Sequence, residues 1–198
     1  MKFIELLLYH SGGMFEATHY AQACEVSRLT IAGYLAVLEM TSMVSVIRPY
    51  SKKRTFEIVS MPKLYGFDTG FVSFVKGWDT LRNEDYGILW EQLVLNELQA
   101  TRPQEKIYYW RDKQGHEIDF LLISQPDSPL VIECKWRLSG FDDTNLRIFR
   151  NRYPRGENYV VAGDCTRAHE LTFNKIKVHV IGLNDVANIG AKKQHLKG

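Results

Sequence analysis

The chain has 198 residues, a formal net charge of +2 and 45% hydrophobic residues, which is an ordinary globular composition for one large or two small domains. So small a charge does not by itself require a nucleic-acid partner. No apolar run approaches the roughly 20 residues that cross a bilayer, so we expect no membrane partner. Its cysteines, Cys24, Cys134 and Cys165, form no C-x-x-C motif, which predicts reduced thiols in a cytoplasmic protein.

Residues 1–60 predict a small winged helix-turn-helix domain. Apolar residues at helical spacing predict helices over 3–10 and 18–24, and a third helix that begins after the N-cap Ser27. Two predicted strands, 44–48 and 55–59, follow it. Helix, helix, turn, helix and hairpin is the order of a winged helix.

The turn between these two strands is basic. It carries Arg48, Lys52, Lys53 and Arg54 with no acidic residue, so it could contact phosphates without reading a base sequence. The third helix is less suited to recognising a base sequence, because Arg28 is nearly its only candidate for a contact with a base. A winged helix that only docks on another domain is an equal alternative.

The next two segments predict a strand and a long helix. In KLYGFDTGF, residues 63–71, a short strand runs into a turn in which Asp68 is a turn or helix cap. Residues 87–98 have a strong helical pattern, and Glu91 shares the stripe of Val94 and Leu98. A carboxylate on an inward face needs a partner, and Lys135 or a metal ion would serve.

Three strands predicted over 106–111, 117–123 and 130–136 form the centre of the chain. Alternation along the second strand places Ile118, Phe120 and Leu122 on one face. In the third strand, Ile132, Cys134 and Trp136 share a face. If the two strands pair as a hairpin, the charged side chains converge on the other side. These are Asp119, Glu133 and Lys135.

Two carboxylates and an ammonium group in a small space favour a bound divalent cation, because Mg²⁺ takes oxygen ligands and keeps several waters. Such an ion polarises a phosphoryl oxygen and activates water, and a lysine can stabilise the developing charge. This pattern indicates phosphodiester hydrolysis. Alternatively, the charges are those of any half-exposed strand, or an ion-pair network that only holds helix and sheet together.

The last third predicts a helix over 142–153 and strands over 157–162 and 176–182. Arg147 and Arg150 belong to a second basic cluster on this helix, which either faces a phosphate backbone or is a solvated surface. Residues 191–198 are polar and basic and predict a disordered tail.

The order of these elements resembles the PD-(D/E)XK nuclease superfamily. More narrowly, KLYGFDTGF, GILWEQLVLNEL, YYWRDKQGHEIDFLL and VIECK resemble the DUF4143 family, which is usually found C-terminal to an AAA+ ATPase in prokaryotes. The resemblance implies an α/β (α+β) fold with a restriction-endonuclease-like core over 63–190, a mixed sheet flanked by helices. It implies a catalytic set of Asp119, Glu133, Lys135 and Glu91, of which Asp119 and Glu133 bind Mg²⁺ or Mn²⁺.

We therefore expect a metal-dependent nuclease that acts on nucleic acid, with DNA as the first candidate. No G-x-x-x-x-G-K-[ST] occurs, so this chain has no ATP site, and it is expected to be part of a longer AAA+ protein or to work with an AAA+ subunit. The alternative is a non-catalytic DNA-binding or protein-interaction module of an AAA+ ATPase.

Overall fold

In the computed structural model, residues 2–51, 61–125 and 127–191 are described. Helices in these ranges span Lys2–Tyr9 (α1), Ala17–Cys24 (α2), Arg28–Met40 (α3), Thr69–Val75 (α4), Asn83–Thr101 (α5) and Thr144–Arg152 (α6), with 3₁₀ turns at Leu138–Gly140 and Leu183–Asn188. Strands span Val44–Pro49 (β1), Lys63–Gly66 (β2), Ile107–Arg111 (β3), Glu117–Leu122 (β4), Leu130–Lys135 (β5), Asn158–Ala162 (β6), His169–Phe173 (β7) and Ile176–Ile181 (β8). None of the described helices is long and apolar enough to span a bilayer.

The strands of the described ranges form one mixed sheet of eight in the order β2-β1-β3-β4-β5-β6-β8-β7. The pairs β1–β3, β5–β6 and β6–β8 are parallel, and the remaining neighbours are antiparallel. The predicted mixed sheet and the hairpin of β4 and β5 are therefore confirmed.

Helices cover both faces of this sheet. On one face, Val94, Leu95 and Leu98 of α5 pack into a core with Phe120 and Ile132. On the other face, α6 and the sheet form a second core, whose members include Leu146, Phe149, Ile118, Val131 and Val160. A carboxylate that α5 carries toward the sheet is therefore held against a packed surface.

The first three helices surround a third core. Phe3, Tyr20 and Ile31 pack there together with Leu64 of β2. The hydroxyl of Ser27 accepts a hydrogen bond from the backbone of α3, as an N-cap does. The predicted order of three helices and a strand is confirmed, while the predicted strand over 55–59 lies outside the described residues. In the described chain, β1 pairs with β2 and β3.

A β-bulge lies at Asp119. Trp110 pairs with Ile118 and Tyr108 pairs with Leu121, so two residues of β4 stand opposite the single residue between them on β3. The predicted grouping of Ile118 with Phe120 and Leu122 is therefore wrong, because the extra residue reverses the alternation and Ile118 belongs to the opposite core. Bulges commonly re-aim a side chain next to functional sites.

Candidate active site at the β4–β5 hairpin

Asp119, Glu133 and Lys135 lie together at the bulge. The Lys135 ammonium donates to Glu133 Oε2 at 3.0 Å and lies 3.8 Å from Asp119 Oδ2. That Asp119 oxygen also accepts a hydrogen bond of 2.8 Å from the backbone N–H of Cys134, which ties β4 to β5. The hairpin thus brings the three predicted residues into one group.

Glu133 is the buried member of this group. Its side chain is 6% exposed, and Oε1 has no hydrogen-bond partner among the residues that the structure describes. Burial and, after it, the charge of Asp119 raise the pKa of Glu133 to about 8, against the opposing effect of Lys135. A buried carboxylate oxygen without a partner is costly, so this position favours a proton or a cation.

Glu133 should make the metal-free protein less stable as the pH rises. Between the usual pKa of 4.5 and about 8, the folded protein binds more protons than the unfolded chain, so the free energy of unfolding falls with pH. Glu133 alone contributes at most about 1.4 kcal/mol per pH unit. Urea unfolding across this range in chelator should show that slope for the native protein and a flatter profile for Glu133→Gln. Parallel profiles would contradict the prediction.

Glu91 has different partners from those predicted. Its Oε1 accepts a hydrogen bond from Lys63 Nζ at 3.0 Å and from the Tyr65 hydroxyl at 2.5 Å. Lys63 Nζ also lies 2.5 Å from Glu117 Oε1. Among the described contacts, Lys135 pairs with Asp119 and Glu133 instead, so the suggested Glu91–Lys135 pair is wrong.

Lys63 is the cation of a second charged group, whose carboxylates are Glu91 and Glu117. Its side chain is 6% exposed, and burial alone would lower its pKa, but the carboxylates of Glu91 and Glu117 raise it above the usual value. The pKa of Glu91 is raised by its burial and by Asp119, against the opposing effect of Lys63. The charge of Asp119 raises the pKa of both Lys63 and Lys135, so the two lysine–carboxylate groups are electrostatically coupled.

The residues predicted to bind nucleic acid are scattered. Arg28 and Arg147 are exposed, at the start of α3 and on α6. Arg48 is exposed too and makes two hydrogen bonds to Glu39, at 3.1 and 3.3 Å. The remaining predicted members of the basic turn, Lys52, Lys53 and Arg54, lie outside the described residues.

Arg150 does not fit the predicted contact with phosphate, because its guanidinium is buried. It donates to Asn158 Oδ1 and to the backbone oxygens of Pro129, Tyr153, Arg155 and Glu157. Burial lowers its pKa to about 10, so it stays charged at neutral pH. Arg150 therefore holds the loops around the start of β6.

The candidate metal ligands are two carboxylates. Within residues 2–51, 61–125 and 127–191, no group of three or more His, Cys, Asp or Glu side chains could hold a metal ion. Asp119 and Glu133 offer oxygen atoms, which suit hard cations such as Mg²⁺ that keep several waters. Whether they do so stays a prediction.

The domain of unknown function DUF4143 matches residues 86–184, which is half of the chain and includes most of α5 and the β4–β5 hairpin. The chain belongs to the DUF4143 family. A second domain of unknown function, DUF8612, matches residues 1–82, which hold the first three helices, β1 and β2. The DUF4143 match thus contains Asp119, Glu133 and Lys135, and Lys63 lies in the other matched region.

Two uncharacterized proteins, from Mycobacterium tuberculosis and Mycobacterium bovis, are each 28% identical to the chain over 141 residues. That alignment covers 69% of this DUF4143 chain and 30% of each relative. A chain in the refined half-complex of Thermococcus gammatolerans McrB AAA+ hexamers with bound McrC matches 91% of this chain and 46% of its own length, at 11% identity and a TM-score of 0.34. Two chains with that TM-score need not share a fold.

Proposed function

We propose that this chain hydrolyses phosphodiester bonds in nucleic acid with the help of Mg²⁺ or Mn²⁺, at Asp119, Glu133 and Lys135. The observation that carries the proposal is the buried Glu133 Oε1 without a partner beside a second carboxylate. A structural ion pair would be expected to satisfy both oxygens of a buried carboxylate.

The residues present fit a divalent cation. Asp119 and Glu133 would hold it through carboxylate oxygens, and Glu133 has one oxygen to spare. When bound, such an ion polarises a phosphoryl oxygen and makes water easier to deprotonate. The raised pKa of Glu133 fits this role, because a cation at Oε1 would offset the cost of ionising a buried group.

Lys135 would stabilise negative charge on the phosphate. Burial alone would lower its pKa, but Asp119 and Glu133 raise it above the usual value, so Nζ is held as an ammonium group. An ammonium group donates hydrogen bonds but cannot accept a proton, which favours charge stabilisation over general-base action. Its side chain is 27% exposed, so a phosphate can approach it from solvent.

Glu91 would act on Asp119, Glu133 and Lys135 through its charge. Lys63 and Tyr65 hold its carboxylate, and its charge raises the pKa of Glu133. More negative charge near Asp119 favours a cation there. We infer that Glu91 makes the electrostatic potential at the site more negative and does not bind the substrate.

We further infer two functional regions, a winged helix-turn-helix over 1–60 and a PD-(D/E)XK-like core over 63–190. The basic turn with Lys52, Lys53 and Arg54, together with exposed Arg28 and Arg147, would contact phosphates non-specifically. DUF4143 membership also supports association with an AAA+ ATPase module, supplied by another part of a longer protein or by another subunit.

Cleavage of labelled single- and double-stranded DNA and RNA, with Mg²⁺, Mn²⁺ or chelator, tests this function. The native protein should cleave at least one of these substrates only when the ion is present. Asp119→Asn, which keeps an oxygen for the Cys134 N–H but loses the charge, should not cleave. Ion-independent cleavage, or equal cleavage by Asp119→Asn, would exclude the proposed site.

A second function, a non-catalytic interaction module, has one observation in its favour. The outward face of α3 is apolar: Leu29, Val37 and Met40 are 84%, 53% and 78% exposed. Exposed apolar side chains on one helix face are typical of a protein contact rather than of base reading. No cleavage by the pure native protein, together with no stabilisation by Mg²⁺ or Mn²⁺, would make this function the better supported one.

A further inference from the structure

A hollow of about 350 Å³ opens at the carboxyl ends of β5 and β6, next to Lys135. Its lining consists of Trp136, Arg137, Gly163 and Asp164. The first two residues follow β5 directly, and the last two follow β6. Crevices outside the carboxyl ends of parallel strands are common ligand sites in α/β sheets.

The Trp136 ring in this hollow is held in place by its neighbours. Tyr86 of α5 stacks on it with a centroid distance of 4.8 Å and an angle of 11°, and Trp90 meets it edge-on at 5.6 Å. A Cβ on Gly163 would lie 2.5 Å from Trp136 Cε3, so only glycine lets the indole lie so close to this backbone. Tyr86 covers one face of the ring, and the indole is a preorganised apolar wall of the hollow.

Polar groups surround this surface. Asp164 Oδ1 accepts a hydrogen bond of 2.9 Å from the Leu138 N–H, which orients the carboxylate. A carboxylate accepts hydrogen bonds from the amino and imino groups of nucleobases. Arg137 is exposed and offers a cation to a phosphate. An aromatic surface, an acceptor and a cation are what a nucleotide requires from a protein.

We propose that this hollow binds an unpaired nucleobase, so that the substrate of the adjacent carboxylate site is nucleic acid with a single-stranded segment. This inference rests on the proposed function, because it treats the hollow as a subsite for a strand that passes Lys135. A base inside a duplex is stacked on both faces and cannot reach the ring, whereas a single strand can turn one base in.

The test compares binding of two labelled oligonucleotides of about 12 nucleotides, oligo-dT and an abasic strand of equal length, in chelator. Both carry the same backbone charge, so their difference reports the bases. We expect the native protein to bind oligo-dT about tenfold more tightly, with quenching of tryptophan fluorescence. Trp136→Leu should remove the preference, and Trp136→Phe, which keeps an aromatic ring, should remove the quenching.

Trp78→Phe is the matched control, since Trp78 is half-buried and remote in sequence, and it should keep both signals. Equal affinity for the two strands, no binding of either, or quenching that survives in Trp136→Phe would overturn the proposal, even if Trp136→Leu fails to fold. Binding in chelator requires no cleavage. A base preference without ion-dependent cleavage would therefore keep the subsite and exclude the hydrolysis, and cleavage without a base preference would do the reverse.

Discussion

Replacing Lys135 with methionine is expected to lower the rate of ion-dependent cleavage by about 10²- to 10³-fold, the usual cost of removing one preorganised donor to a developing charge. Methionine keeps much of the length and apolar stem of lysine but has no ammonium group. Asp119 and Glu133 remain, so Mg²⁺ or Mn²⁺ should still raise the melting temperature. The measurement is single-turnover cleavage, beside thermal melts with and without the ion.

Lys177→Met is the control for this variant. Lys177 is 76% exposed and lies 3.9 Å from Glu170, so losing its charge should leave cleavage and melting nearly unchanged. Loss of ion-induced stabilisation in Lys135→Met would mean that Lys135 shapes the ion site rather than stabilising the phosphate. A cleavage rate equal to that of the native protein would remove Lys135 from the site.

Replacing Lys63 with methionine is expected to lower the free energy of unfolding by about 3–5 kcal/mol. Its ammonium group pairs with two largely buried carboxylates, Glu91 and Glu117. Both would keep the cost of burial without its attraction, although Tyr65 still donates to Glu91 and Arg111 to Glu117. Urea unfolding should measure the loss, and the melting temperature should fall by about 10 °C.

A double variant, Lys63→Met with Glu91→Gln, separates the charge effect from lost packing. It should be more stable than Lys63→Met alone, because one uncompensated carboxylate has been neutralised. If Lys63→Met melts like Lys177→Met, the Lys63 group does not stabilise the fold. If the double variant is less stable than the single one, packing or hydrogen bonding dominates.

Local patterns in the sequence predicted the centre of the fold. Turn-forming residues separate β3, β4 and β5, and at the first turn Asp112 Oδ1 accepts from the backbone N–H groups of Gln114 and His116. The helical stripe of α5 was equally clear, since Val94 and Leu98 are fully buried. Such features depend on neighbours a few residues apart, which a sequence displays directly.

The contacts of Lys63 could not be read in that way. Its partners, Glu91 and Glu117, lie far along the chain, and the contacts follow from the sheet order that places β1 between β2 and β3. The available signal was that Lys63 and Tyr65, two residues apart, share one face of a short predicted strand, all of which the structure shows to be buried. A charged residue on such a strand predicts an opposite charge nearby but not its position.

The sequence patterns also do not predict the bulge, β7 or the short helix α4. The bulge depends on cross-strand register, although the apolar run Phe120, Leu121 and Leu122 hinted that simple alternation fails in β4. β7 is mostly exposed, and only Leu171 and Phe173 pack on the core, which is too short an alternation to indicate a strand. For α4 the cap was predicted, since Asp68 accepts hydrogen bonds from two backbone N–H groups, but the short helix was not.

The position of Arg150 on α6 indicates burial rather than the predicted contact with phosphate. Arg150 shares the helical stripe of Leu146 and Phe149, and all three are buried. A charged residue inside an apolar stripe is more consistent with a structural partner than with a surface ligand. Its backbone acceptors include Pro129, just before β5, and Glu157, just before β6, and their proximity again depends on strand order.

The most direct test of the carboxylate site is the melting temperature in chelator and in Mg²⁺ or Mn²⁺, for the native protein and for Glu133→Gln. Glutamine fills the same space without a charge, so the variant should fold. The account predicts that the ion stabilises the native protein, by about 2.7 kcal/mol at a hundredfold excess over Kd, and does not stabilise Glu133→Gln. No rise in the native protein, or an equal rise in both, would contradict it.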